Sequence, residues 1–145
     1  MSYSAGLNIL EPQVINRERI QELINSFSSI GASENGSVSR RGFSDEDIYA
    51  RNFFMKTLKD LGLKIRIDTA GNIIARLDGH DNNLPPIVTG SHLDTVPKGG
   101  KYDGTLGVIA GIEIAFFLQE NDIKLNLSLI HISEPTRLRR ISYAV

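Results

Sequence analysis

The stretch GSHLDTVPKGGKYDG, residues 90–104, brings together the residue types of a metal site: His92, Asp94 and Asp103. A neutral imidazole is the commonest transition-metal ligand in proteins, and a neighbouring carboxylate can fix its tautomer and raise its basicity. The carboxylate of Asp103 has two oxygens and could hold two cations at once. The stretch therefore indicates a candidate metal site, with the plainer alternative that Asp94 only caps a turn.

The elements around this stretch would bring the three side chains to one place. Ile87-Val88-Thr89 predicts a short buried strand that ends at Gly90. Ligands of α/β sheets gather beyond the carboxyl ends of strands, so a central strand here would place His92 and Asp94 at such an end. At a spacing of two in extended backbone, both side chains point to the same side. Gly99 and Gly100 would let the following loop take positive φ and fold back tightly.

Glycines recur in the helix predicted from Leu106 to Glu120. Gly104, Gly107 and Gly111 fall on one helical face, where small residues allow close approach to a strand. A glycine-rich loop before a helix can also bind phosphate. The stretch lacks both the P-loop order and the GxGxxG order, so packing is the preferred interpretation of these glycines.

The rest of the chain predicts an α/β fold with a mixed sheet. One helix begins at Asn16 and a second at an N-capping Ser44, and the second ends at Gly62. The second helix should turn four side chains inward: Ile48, Phe54, Leu58 and Leu61. Strands are predicted over residues 63–67, 73–77 and 123–130. The element order α, α, β, β, β, α, β is typical of a layered α/β domain.

Composition excludes several function classes. Hydrophobic residues make up 41% and charged residues 23%, as in a soluble globular protein, and the net charge of −1 gives no footprint for nucleic acid or anionic membrane. The lack of cysteine excludes a thiolate zinc cluster. No apolar run approaches the ~20 residues of a membrane span, and no secretory signal is visible. We expect a cytoplasmic protein without nucleic-acid or membrane partners. His80 and His131 are interpreted as solvated or satisfied histidines rather than ligands.

The motifs resemble the first metal motif of the zinc-dependent aminoacylase and carboxypeptidase superfamily. They are Gly90-Ser91-His92-Leu93-Asp94-Thr95-Val96 and Gly99-Gly100-Lys101-Tyr102-Asp103-Gly104. The fuller match is to the amidohydrolase branch: N-carbamoyl-L-amino-acid hydrolases, allantoate amidohydrolases and β-ureidopropionases. Three further segments support it: 43–51 resembles the branch's second helix, 68–72 its strand turn and 106–111 the helix after the aspartate. The resemblance covers residues 15–127 and implies the N-terminal part of a mixed-sheet di-metal hydrolase catalytic domain.

The resemblance also implies roles for the three residues. His92 would bind one metal ion, and Asp103 would bridge two ions. Asp94 would be a catalytic residue that lies behind His92 and supports it with its carboxylate. Two divalent ions per complete subunit are implied, with zinc expected and manganese or cobalt as alternatives. The implied reaction is hydrolysis of a linear amide or ureido C–N bond of a small molecule, with a glutamate as general base. A homodimer is implied for the complete protein.

The end of the chain departs from that family pattern. Where the family has a Glu-Glu pair, this chain has a single Glu134 followed by Pro135, and we do not assign Glu134 the base role. Residues 128–145 resemble translated adapter DNA, so we predict a native portion over residues 1–127 and a non-native tail over 128–145. The alternative is a basic interaction tail that uses Arg137, Arg139 and Arg140.

Two classes of function stay open from the sequence. The chain is either part of an amidohydrolase or a truncated product without turnover. Within the enzyme class, a peptidase or deacylase of the same superfamily is the runner-up, since it would share His92, Asp94 and Asp103. We expect an incomplete sheet to leave an edge exposed and the isolated chain to be only marginally stable.

Overall fold

A computed structural model describes residues 15–134; residues 1–14 and 135–145, including the three arginines of the tail, lie outside the described residues. Within that part, three helices and four strands follow one another along the chain. They are α1 (Arg17–Ser29), α2 (Asp45–Asp60), β1 (Lys64–Ile67), β2 (Ile73–Leu77), β3 (Ile87–His92), α3 (Thr105–Glu120) and β4 (Leu129–Glu134). The α/β class is confirmed.

Both early helices begin with a side-chain cap, where the sequence predicts a helix start at Asn16 and a cap at Ser44. The Asn16 side chain accepts a hydrogen bond from the Arg19 amide at 3.0 Å. Ser44 accepts one from the Asp47 amide at 3.4 Å. The expectation for Ile48 is wrong, because this side chain is 49% exposed. The buried face of α2 passes through Asp47 instead, and the next residue lies roughly 100° further round the helix.

The sheet has the order β1-β2-β4-β3 and is mixed, as predicted. Antiparallel pairing joins β1 to β2 and β2 to β4, whereas β3 and β4 run parallel. Two expectations for β3 are wrong: it is an edge strand, and Ile87 and Val88 are 47% and 57% exposed. In the described part of the chain only β4 pairs with it. The strand also continues through His92, which is therefore its last residue.

The last strand lies later in the chain than its predicted range, residues 123–130. Only residues 129 and 130 of that range are in β4. The alternation of Ile123, Leu125 and Leu127 is real, but these residues line an apolar cavity of about 280 Å³ together with Leu61 and other side chains. Within residues 123–128, the described structure has one isolated β-bridge, between Asp81 and Leu127. The alternation thus follows the lining of this cavity, where Ile123 is still 36% exposed, and not a strand.

β4 lies within the segment that the sequence analysis assigns to a non-native tail. Residues 129–134 pair with both β2 and β3, so the predicted boundary after residue 127 falls just before the strand that joins the two halves of the sheet. The origin of residues 128–145 stays a prediction, because strand pairing depends on the residues present and not on their source.

His131 joins both long helices to the sheet. Its ring lies edge-on to Phe54 of α2, with centroids 5.6 Å apart, and its Nε2 donates to the Val108 carbonyl of α3 at 3.0 Å. Both helices therefore cover the same face of the sheet. The side chain is 1% exposed, which agrees with its interpretation as a satisfied core histidine.

The glycine face of α3 allows this packing. A Cβ on Gly111 would lie 2.3 Å from Cε1 of His131, and one on Gly107 would lie 2.8 Å from the Ser91 side chain. Real Cβ atoms do not approach that closely, so only glycine lets α3 lie this near β3 and β4. The packing interpretation of the glycine face is confirmed. It fixes the start of α3 against the end of β3, where the candidate site lies.

We predict that the stability of the fold falls as the pH is lowered from 7 toward 5. Burial lowers the pKa of His131, so the folded state keeps this ring neutral while the unfolded chain takes up a proton below its pKa of about 6.5. The unfolded state then binds more protons, and the free energy of unfolding decreases with falling pH. Urea unfolding at several pH values measures this.

The matched variants are His131→Leu and His80→Leu. The first should flatten the pH dependence, because it removes the buried titrating ring. The second should keep it, since His80 is exposed. An unchanged pH profile in His131→Leu would contradict the assignment of this effect to the core histidine.

Candidate metal centre

His92 and Asp103 lie next to each other at the carboxyl end of β3, although eleven positions separate them in the sequence. The distance between His92 Nε2 and Asp103 Oδ1 is 3.8 Å. Two ligands of one tetrahedral zinc ion, each about 2.0–2.1 Å from it, lie roughly 3.4 Å apart. The pair is therefore spaced for a shared ion after a small side-chain adjustment, and both groups are of the types that zinc accepts.

Asp94 contacts the other nitrogen of the same ring. His92 Nδ1 lies 3.0 Å from the Asp94 carbonyl oxygen and 3.3 Å from Asp94 Oδ1. Because oxygens of a carbonyl or carboxylate only accept, this contact requires the imidazole proton on Nδ1. Nε2 then carries the lone pair, on the side of Asp103. The Asp94 carboxylate is buried, with 9% of its side chain exposed, so it can orient the ring without being a ligand itself.

Gly104 fits α3 against the histidine ring. Its φ is +71°, and a Cβ there would lie 2.4 Å from His92 Cε1. Ser91 Oγ donates to the Gly104 carbonyl at 2.7 Å, which ties the end of β3 to the start of α3. The last strand residues and the first helix residues thus hold His92 between them, and Asp103 precedes Gly104 on the same turn.

A short segment, residues 37–40, supports the loop that connects the two candidate ligands, residues 93–103. The Val38 amide donates to the Gly99 carbonyl at 2.9 Å, and the Gly99 amide donates back at 2.8 Å. The Thr95 amide donates to the Arg40 carbonyl at 2.6 Å. We call residues 37–40 the supporting segment and residues 93–103 the connecting loop. Residues 31–42 are rich in Gly, Ser and charge, a composition typical of a loop, and the sequence gave no sign of this pairing.

The turn of the connecting loop differs from the expectation. Positive φ occurs at Lys98 (+56°) and at Gly104 (+71°), and not at Gly99 or Gly100. Gly99 is needed for space instead, because a Cβ there would lie 3.0 Å from the Val96 carbonyl oxygen. The tight fold of the loop was predicted correctly, but the residue that bends it was not.

Arg40 is the site residue that sequence reasoning missed. Its side chain is fully enclosed, at 1% exposure, and it donates to the Leu93 carbonyl at 2.7 Å, one residue after His92. It stands in the run Ser39-Arg40-Arg41, where nothing distinguishes it from its exposed neighbour Arg41. No signal in the single sequence could have selected it.

A second buried charge lies near Arg40. Asp47 is 0% exposed, and its Oδ2 accepts from the Phe43 amide at 2.8 Å. Burial raises the pKa of Asp47, while the Phe43 hydrogen bond and the positive charges of Arg51 and Arg40 act in the opposite direction. Arg51 in turn donates to the Gly71 carbonyl, which links α2 to the turn between β1 and β2. The negative charge of Asp94 also raises the pKa of Asp47, so this buried carboxylate lies close to the candidate site.

Within residues 15–134, no cluster of three or more His, Cys, Asp or Glu side chains is arranged to hold a metal ion. His92 and Asp103 are two side chains of types that a metal ion accepts, and a complete site would need further ligands. Glu134 is the register partner of His92 across β3 and β4, yet its side chain is exposed. The described residues therefore fit part of a metal centre, and the roles assigned to His92, Asp94 and Asp103 stay predictions.

We predict that Gly104→Ala destabilises the chain more than Gly62→Ala and displaces the His92 ring. Both glycines have φ above +70°, so both substitutions strain the backbone by about 1–2 kcal/mol. Only Gly104 has His92 within reach of a new Cβ, since nothing lies within 4 Å at Gly62. Chemical denaturation measures stability, and histidine ring NMR shifts report the displacement. Equal losses of stability in the two variants, with unchanged His92 ring shifts in Gly104→Ala, would contradict a close contact between position 104 and His92.

Comparisons with known proteins agree with the resemblance. A scan against models of protein families finds no match. The chain is 35% identical over 136 residues to a ureidoglycolate hydrolase of Arabidopsis thaliana, a match that covers 91% of this chain and 29% of the relative. It is 37% identical over 109 residues to an N-carbamoyl-L-amino-acid amidohydrolase of Pseudomonas sp. (strain NS671), which covers 75% of this chain and 26% of the relative.

The fold is shared as well. A hydantoinase/carbamoylase family amidase from Burkholderia ambifaria superimposes with a TM-score of 0.82 at 36% identity, covering 83% of this chain and 30% of that structure. The chain thus spans less than a third of the length of each of these three proteins. None of the described helices is long and apolar enough to cross a membrane. The chain corresponds to only part of the length of these relatives. Its sequence and fold together show that it belongs to the family of ureidoglycolate hydrolases and N-carbamoyl-L-amino-acid amidohydrolases.

Proposed function

We propose that the complete protein to which this chain corresponds is a metal-dependent amidohydrolase that cleaves a linear amide or ureido C–N bond of a small molecule. The observation that carries the proposal is the approach of His92 Nε2 to Asp103 Oδ1, 3.8 Å apart at the carboxyl end of β3. Relatives named for N-carbamoyl amino acid and ureidoglycolate hydrolysis support the substrate class. Allantoate belongs to the same ureido class.

His92 and Asp103 would hold the metal, and Asp94 would hold the ring. Asp94 would keep the ring proton of His92 on Nδ1, which leaves the Nε2 lone pair available for a metal ion. Asp103 has two carboxylate oxygens and could therefore bind two ions. We propose two divalent ions per complete subunit, zinc first and manganese or cobalt next. When bound, such ions act as Lewis acids on the substrate carbonyl and make water nucleophilic at neutral pH.

The resemblance supports two further parts of the proposal, a general base and a homodimer. A glutamate general base would take the proton from the attacking water and pass it to the leaving nitrogen. We propose a homodimer for the complete protein and a cytoplasmic location. We assign the base to none of residues 15–134 and expect no turnover from the 145-residue chain itself.

We predict that the chain binds Zn²⁺ through His92. Zinc titration, followed by the ring nitrogen shifts of the three histidines, should move His92 and leave His80 and His131 unchanged. His92→Gln should weaken binding by about tenfold or more. His80→Gln is the control, because His80 is exposed and lies outside the site. Equal binding by both variants would remove His92 from the ligand set.

We predict that the source reading frame, sequenced across codon 128, departs from residues 128–145 and encodes a Glu-Glu strand end. The protein expressed from that frame and loaded with Zn²⁺ or Mn²⁺ should release ammonia from N-carbamoyl-L-amino acids, allantoate or ureidoglycolate. Asp103→Ala should lower kcat/KM by about 10³-fold or more and reduce the metal content, since a bridging ligand serves both ions.

Asp81→Ala is the control for this experiment, because Asp81 is an exposed loop carboxylate. A frame that continues through Arg140 to a stop codon would refute the non-native tail. Cleavage of dipeptides or N-acyl amino acids without cleavage of ureido compounds would favour the peptidase or deacylase alternative. Full activity in Asp103→Ala would refute the bridging role.

A further inference from the structure

We propose that Arg40 is the positioning residue of the candidate metal centre, and that it acts through the two peptide groups on either side of Asp94. Its guanidinium fixes the Leu93 carbonyl, and its backbone fixes the Thr95 amide. Together they aim the Asp94 carbonyl at His92 Nδ1. The inference rests on the proposed function, because it concerns the same site.

The guanidinium of Arg40 joins three separate parts of the fold. Nε donates to the Leu93 carbonyl at 2.7 Å, at the start of the connecting loop. Nη1 donates to the Phe27 and Ile30 carbonyls at 2.7 and 3.1 Å, at the end of α1. Nη2 donates to Thr105 Oγ1 at 3.1 Å, on the first residue of α3. The side chain thus spans both ends of the loop that separates the two candidate ligands.

The geometry of a peptide group carries this restraint to the histidine. The Thr95 amide donates to the Arg40 carbonyl at 2.6 Å, and the Arg40 amide donates to Thr95 Oγ1 at 2.8 Å. In a planar trans peptide, the N–H and C=O bonds point in opposite directions. Fixing the Thr95 N–H on Arg40 therefore points the Asp94 carbonyl away from Arg40. His92 Nδ1 lies 3.0 Å from that carbonyl oxygen.

The hydrogen bonds of the buried Arg40 side chain require a planar guanidinium group. A buried charge is costly unless its donors are satisfied, and Arg40 meets this condition with three carbonyls and one hydroxyl. Burial lowers the pKa of Arg40, while the negative charges of Asp47 and Asp94 act in the opposite direction. A lysine has a single ammonium group and could not reach these acceptors at once.

The test follows the tautomer of His92 in the metal-free chain. Long-range ¹H–¹⁵N spectra of the ¹⁵N-labelled chain, at a pH well above 6.5, distinguish Nδ1–H from Nε2–H in each histidine. The wild-type chain should show Nδ1–H for His92. Arg40→Met and Arg40→Lys should lose this preference, and the Zn²⁺ dissociation constant from the His92 ring shifts should rise about tenfold or more.

Arg19→Met separates positioning from general stability. Arg19 binds Glu113 at 2.7 Å and Glu120 between α1 and α3, at the opposite end of α1 from Phe27 and Ile30. Its removal should lower the free energy of unfolding without changing the His92 tautomer or zinc binding. If Arg40→Met does not fold, Arg40→Lys decides the matter. A wild-type tautomer and unchanged zinc binding in the folded Arg40 variants would overturn the proposal.

Failure of this inference can be told apart from failure of the proposed function. If the wild-type chain shows the Nδ1–H tautomer and the Arg40 variants lose it, Arg40 positions the ring even when the chain binds no zinc. If zinc binds at His92 but the Arg40 variants keep the wild-type tautomer and zinc affinity, the metal centre is supported and the positioning role of Arg40 is refuted.

Discussion

The close approach of α3 to the parallel pair β3 and β4 is the constraint on which the rest of the structure depends. Glycine at positions 104, 107 and 111 removes the side chains that would collide with His92, Ser91 and His131. The helix then begins directly against the last residue of β3. Without this approach, Asp103 would stand further from His92, because the first turn of α3 sets where the connecting loop ends.

Two arginines, the half-buried Arg19 and the buried Arg40, fix orientations that apolar packing alone leaves undetermined. Arg19 joins α1 to Glu113 of α3 and stacks its guanidinium over Phe116, 4.2 Å from the ring centroid. Arg40 joins the end of α1 to the connecting loop and to Thr105. Hydrophobic contacts are non-directional. Directional hydrogen bonds from the buried guanidinium of Arg40 therefore fix the orientation of the connecting loop at the candidate metal site.

The helices of the described residues cover one face of the sheet and leave the other more open. Val88 is 57% exposed on that face, while Ile130 and Ile132 are partly buried there. β3 also forms an edge of the sheet. An exposed apolar edge strand favours pairing with other chains. The expectation of marginal stability for the isolated chain follows from this feature, and the site lies at the same edge, where further ligands could approach.

The sequence by itself determined the local features of this protein. The helix start at Asn16, the cap at Ser44, the strand Ile73–Leu77, the helix before Glu120 and the three residues His92, Asp94 and Asp103 followed from periodicity, capping chemistry and ligand type. These features depend on neighbours within a few residues. The glycine face of α3 was also visible, because its spacing repeats within one helix.

Only the tertiary structure decided the features that depend on distant residues. The edge position of β3, the placement of β4 and the role of Arg40 arise from contacts between segments far apart in the chain, as between Arg40 and Leu93. A cavity wall also explains the misplaced strand, since the alternation of Ile123, Leu125 and Leu127 follows that wall rather than a strand ladder. A single sequence records which residues are apolar or charged, whereas the fold decides which of them meet.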